Sequence, residues 1–154
     1  MNYLILMLFT LISCSQNASG GIEIKNAWIR EAPPGATVTA LYLEINNNVG
    51  EDQILSINTP VSELAEIHNT QITSDGTGKM VKLENISIES GELLEYSPGG
   101  KHIMLINLNK VLKAGEVYEV TLDFKNSGQK SVNAVVKGFN EGKVENHSGH
   151  SMDH

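Results

Sequence analysis

Four side chains with soft donor atoms recur at set intervals in this chain: His68, Met80, His102 and Met104. Two are imidazoles and two are thioethers. His102 and Met104 lie in Lys101-His102-Ile103-Met104-Leu105-Ile106, which reads as a strand. Successive strand side chains point to opposite faces, so these two share a face with Cα atoms about 6.5–7 Å apart. One metal ion can be gripped across that gap. Thioether sulfur binds Zn²⁺, Mg²⁺ and Ca²⁺ poorly and binds Cu(I) well. A set of two His and two Met therefore points to monovalent copper.

Such donors need a rigid scaffold. From Ile22 the chain runs in short alternating segments separated by turn residues. Ile22–Arg30 stops at Pro33-Pro34-Gly35, and Thr37–Ile45 is closed by Asn46-Asn47-Asn48. Gln53–Ile57 is followed by Leu64-Ala65-Glu66-Ile67-His68, where Leu64, Glu66 and His68 would share one face. Ser74-Asp75-Gly76-Thr77-Gly78 reads as a turn, so a hairpin is expected to bring His68 and Met80 near each other. Short strands at Ile86–Ile88 and Leu93–Tyr96 come next, and Ser97-Pro98-Gly99-Gly100 leads into the His102–Met104 strand. Glu116–Phe124 and Ser131–Val136 complete the set. No segment holds a helical period, so the expected fold is an all-β sandwich or barrel in a single domain. Trp28 reads as a core or near-core residue. Nothing in the sequence requires Tyr96 or Asp123 to lie near the metal.

The ends read differently from the middle. Residues 1–13 are almost wholly apolar, too short to span a bilayer, and fit the core of an export signal. Leu11-Ile12-Ser13-Cys14 resembles a bacterial lipoprotein cleavage box, which implies cleavage before Cys14 and lipid attached to it. Residues 14–21 are small and polar and read as a tether. After residue 138 the chain lacks core-forming residues; 139–154 reads as a disordered tail. Its His147, His150, Met152 and His154 form a candidate secondary metal site for a second copper ion.

Composition narrows the function. Cys14 is the only cysteine, so there is no intrachain disulfide; with that cysteine taken up as the lipid anchor there is also no thiolate for a Cys-based zinc site or a blue-copper centre. A formal charge of −7 argues against nucleic acid as a partner. No nucleophile–base set is apparent, and an enzymatic role is not expected.

Taken singly, Met80 or Met104 is core filler. The joint spacing changes that reading: eleven residues separate His68 from Met80, twenty-one separate Met80 from His102, and one separates His102 from Met104. This pattern resembles the periplasmic copper chaperones linked to assembly of the copper A centre of cytochrome c oxidase. Ala27-Trp28-Ile29-Arg30, Pro33-Pro34-Gly35, Leu41-Tyr42-Leu43-Glu44-Ile45-Asn46 and Pro98–Leu105 agree with that family too. The resemblance runs from Ile22 to Gly138 and implies a cupredoxin-like antiparallel β-sandwich. It implies one Cu(I) per domain, held by His68, Met80, His102 and Met104 and passed to a copper-accepting envelope protein, such as an oxidase subunit or another copper chaperone. Asn69 stands where the family often carries a Met after the first His. The lipid anchor at Cys14 implies a membrane-tethered protein of the bacterial cell envelope. Two alternatives stay open: a copper buffer or resistance protein without a dedicated client, and a lipid-tethered interaction module whose metal site is incidental.

Overall fold

Each alternating run becomes a strand. The computed structural model describes residues 20–139, and among them are ten strands. They are β1 (Ile22–Arg30), β2 (Val38–Asn47), β3 (Asp52–Asn58), β4 (Ser62–Ile72) and β5 (Gly78–Lys82). There follow β6 (Ile86–Ile88), β7 (Leu93–Tyr96), β8 (Lys101–Leu108), β9 (Val117–Phe124) and β10 (Gly128–Lys137). The signal segment, Cys14 and the tail residues His147, His150, Met152 and His154 lie outside the described residues.

Hydrogen bonding links the strands in one path, β5-β4-β8-β2-β1-β10-β9-β3-β6. Strand β2 changes partner along its length: Val38–Leu41 pair with β8, and Leu43–Asn46 pair with β7. All pairs are antiparallel except β1 with β10. That parallel junction joins the first strand to the last and is, among the described residues, the one departure from an antiparallel sandwich. The path curls over itself into the cupredoxin-like sandwich. Ile29, Leu41, Leu43, Ile45, Ile103, Leu105, Val120 and Leu122 are fully buried in its single apolar core. Burying each such side chain stabilises the fold by about 1.5–3 kcal/mol.

Strand β1 contains an irregularity that matters for the site. Its register against β2 shifts between Lys25 and Trp28, and Asn26 takes a positive φ of 53°. Asn tolerates that left-handed conformation better than most residues. The extra residue inverts the alternation. Ile22 and Ile24 face the core before the bulge, whereas Ala27 and Ile29 do so after it. Trp28 is buried as expected, but on the outer face, with its ring 4.3 Å from that of Tyr42.

Asn47 closes the end of β2. Its fully buried amide nitrogen donates to the carbonyls of Gly50, Ile88 and Glu89 at 3.0–3.1 Å. Its side-chain oxygen accepts from the Val49 N–H at 3.1 Å. Asn47→Ala leaves these groups without partners and is expected to cost about 2–3 kcal/mol. A lower urea midpoint with unchanged slope would show it; an unchanged midpoint would mean that water replaces the amide.

Candidate metal centre

The turn Ser97-Pro98-Gly99-Gly100 sets the start of β8. Gly100 N–H donates to the Ser97 carbonyl at 3.2 Å, and Gly99 has a φ of 86°. Pro at the second position and Gly at the third are what a type II turn requires. From there β8 runs between β4 and β2. His102 lies directly opposite His68, and Met104 lies opposite Glu66 on β4 and Ala40 on β2. On the outer side of β4, strand β5 places Met80 opposite Thr70 and Lys82 opposite His68.

Directly opposed residues of an antiparallel pair project to the same face, as do residues two apart on one strand. His68, Met80, His102 and Met104 therefore share one face of the β5-β4-β8 ribbon. Ile67, Ile103 and Leu105, the intervening residues, turn to the core. Leu64, Glu66 and His68 share a face as the alternation predicted. The expected hairpin also forms, although Lys82 sits directly across from His68 and Met80 one diagonal step away.

Met80, His102 and Met104 line one open cleft, together with Arg30, Tyr42, Pro33 and Phe139. His68 is not part of the cleft wall. Its ring lies beside that of His102, with centroids 6.2 Å apart and planes inclined by 30°. Exposure is uneven: His102 is only 6% exposed, whereas Met80, on the edge strand, is 59% exposed. Tyr96 packs in the core, and Asp123 pairs within β9 against β3 and β10; neither lines the cleft.

The imidazoles are held by different atoms. His102 Nδ1 is 3.0 Å from the Gly100 carbonyl oxygen. A carbonyl only accepts, so Nδ1 carries the proton and Nε2 carries the lone pair. For His68 it is Nε2 that is engaged, 3.0 Å from Glu66 Oε2. Its Nδ1 is buried and has no hydrogen-bond partner. A buried acceptor without a donor is costly in a finished fold, and a bound cation would satisfy it. Among the described residues, no three His, Cys, Asp or Glu side chains gather as a hard-ion site would need. The donors that accompany the imidazoles here are thioethers, which fits a soft ion.

Several residues around the centre were not singled out from the sequence. Glu66 joins His68 to Lys82, whose Nζ lies 2.9 Å from Glu66 Oε1. The hydrogen bond from Lys82, then that from His68, holds the Glu66 carboxyl below the ordinary carboxylate range. The same bond raises the Lys82 ammonium above its usual value. Arg30 borders the cleft with its guanidinium carbon 5.3 Å from the Tyr42 ring centre, and its Nε is buried without a partner. Burial pushes the Tyr42 hydroxyl up, with Arg30 acting the other way. Strand alternation places Glu66 on the His68 face but gives it no role; Lys82 and Arg30 depend on cross-strand register, which local pattern does not give.

Comparison with known proteins agrees with this architecture. A "Putative lipoprotein Lxx21020" of Leifsonia xyli subsp. xyli is 30% identical over 131 residues, covering 84% of this chain and 76% of its own length. The copper-bound PCuAC domain from PmoF2 superposes with a TM-score of 0.65 at 22% identity, over 77% of this chain and 94% of that domain. The solution structure of CuI-DR1885 from Deinococcus radiodurans gives a TM-score of 0.56 at 27% identity, over 73% and 75% of the two chains. The family resemblance read from the sequence is borne out, and so is the all-β fold. Residues 22–136 match the family profile described as "LpqE-like: Putative lipoprotein LpqE-like", and the chain belongs to that LpqE-like family.

Proposed function

We propose that this protein is an extracytoplasmic copper carrier. It holds one Cu(I) through His68, Met80, His102 and Met104 and passes it to copper-accepting envelope proteins, serving assembly of the cytochrome c oxidase copper centre. The observation that carries this reading is the register of β4 on β8. It sets His68 against His102 with one ring nitrogen of each left to carry a lone pair, and Met104 follows two residues on. The copper-loaded relatives of the same fold support it.

The chemistry suits a carrier. Four neutral donors add no negative charge at the metal, which favours the +1 ion. The imidazoles must be unprotonated to bind, so affinity falls in acidic solution, whereas the thioethers do not titrate. Release proceeds by ligand exchange and begins at Met80, the most accessible of the four. In this reading the domain spans residues 22–138 and is tethered through lipid on Cys14. The tail residues His147, His150, Met152 and His154 form a weaker second site.

Anaerobic loading with Cu(I), followed by X-ray absorption, tests the centre. The expected result is one tightly bound Cu(I) with mixed sulfur and nitrogen neighbours. A chain truncated after Gly142 should keep it and lose any second copper. A shell without sulfur would sink the reading. Delivery is tested in cells lacking the protein. Loss of oxidase activity at low copper marks a carrier; sensitivity to high copper with normal oxidase activity would mark a buffer instead.

A further inference from the structure

The two histidines at the centre are opposed in sequence register but not in chemistry. His102 is fixed through Nδ1 by a main-chain carbonyl. His68 is fixed through Nε2 by a side chain, Glu66, two residues earlier on the same strand face. We propose that Glu66 is a positioning residue of the metal centre: its carboxylate holds the His68 proton on Nε2, which makes Nδ1 the donor atom, and Lys82 clamps that carboxylate. The proposal rests in part on the copper reading above, because the donor atom needs a metal to serve.

Three observations carry it. The Glu66 carboxylate is shared, with Oε2 3.0 Å from His68 Nε2 and Oε1 2.9 Å from Lys82 Nζ. An ionised carboxylate only accepts, so the His68 nitrogen facing it must bear the hydrogen. The pair is sheltered, the side chains of His68 and Glu66 being 14% and 17% exposed. The remaining His68 nitrogen is buried and unpartnered. A surface ion pair formed for its own sake contributes little, and this one leaves a buried, unpartnered acceptor on a residue that shares its strand face with His102, Met104 and Met80. A carboxylate behind a ligating imidazole fixes its tautomer and orientation and raises its basicity. The register makes the arrangement local: Glu66 precedes His68 by one strand repeat, and Lys82 lies directly across from His68. A lysine at that place also neutralises the carboxylate, so the centre gains orientation without gaining net negative charge.

The test uses the full chain labelled with ¹⁵N-histidine and kept metal-free at mildly alkaline pH. Two-bond nitrogen–proton correlation reads the tautomer of each ring, and the His68 signal is identified by its absence in His68→Gln. The expected wild-type result is hydrogen on Nε2 of His68 and on Nδ1 of His102. Glu66→Gln, whose amide oxygen can still accept, should keep the His68 tautomer; Glu66→Ala should give a mixture. Competition with a Cu(I) chelator should then show about 10–100-fold weaker binding for Glu66→Ala and rescue by Glu66→Gln, with far-ultraviolet dichroism confirming that both variants fold. Hydrogen on Nδ1 of wild-type His68, a tautomer indifferent to Glu66→Ala, or an affinity indifferent to it would each overturn the proposal. A wild-type chain that binds no Cu(I) at all would instead bring down the copper reading itself, an outcome distinct from a bound ion that ignores Glu66.

Discussion

A Met80→Leu, Met104→Leu double variant is expected to lose more than about 100-fold in Cu(I) affinity, beyond what losing a supporting partner costs a metal site, and to keep its fold. Leu and Met have similar volume, so each exchange should change stability by less than about 1.5 kcal/mol. Met80 is 59% exposed on the edge strand and has little packing to lose. Met104 sits on the outer face of β8 between Glu66 and Ala40, with core residues Ile103 and Leu105 on either side facing away. What the variant lacks is sulfur, the donor that separates Cu(I) from harder ions. With two imidazoles remaining, affinity for Cu(II) or Zn²⁺ should change far less than affinity for Cu(I). Competition titrations with each ion measure this directly. A double variant that binds Cu(I) like the wild type would show that the thioethers are packing residues after all.

The second large effect lies away from the candidate centre, at a residue that does not line the cleft. Asp52 begins β3 and is 2% exposed. Its carboxylate accepts three backbone N–H groups at 2.8 Å: Gln53 and Asn126 on one oxygen, Ser127 on the other. Burial alone would raise its pKa, but the hydrogen bonds from Ser127, Asn126 and Gln53 outweigh burial and hold the carboxyl below its usual value. Asp52→Ala strands the donors of the β9–β10 turn and should cost about 3 kcal/mol. The sign of the pH dependence follows from the depressed value. The contribution is fully present above the unfolded carboxyl value, about 4, and is lost as pH falls through the lower folded value. Wild type should therefore lose stability in acid more steeply than Asp52→Asn, which has no charge to lose. Denaturant midpoints at neutral pH and below pH 4 check both statements; parallel acid profiles for the two proteins would contradict the assignment.

Strand identity was legible because alternation is a local property, and every run that alternated became a strand. The shared face of His102 and Met104 followed from the same rule, as did that of Glu66 and His68. Partnership between strands is not local. The parallel contact of β1 with β10 and the division of β2 between β8 and β7 depend on how the whole path closes, and no turn residue announces them. The spacing of His68 from Met80 suggested a hairpin but did not reveal that Lys82 takes the place across from His68. Arg30 and Tyr42 reach the cleft only because β2 lies beside β8 and β1 beside β2, again a matter of strand order.

The irregularity at Asn26 gives the cleft an unusual dependence on chain length. Trp28 and Arg30 stand outside, and Ile29 inside, because one surplus residue precedes them. Asn26→Gly or Asn26→Asp would keep that count. Deleting Asn26 would remove no contact with the metal face, yet it would ask the next strand segment to present Trp28 and Arg30 to the core and Ile29 to water. The wall of the cleft is thus set by arithmetic along the backbone as much as by the side chains that compose it. Changes of residue there should be absorbed more readily than changes of length.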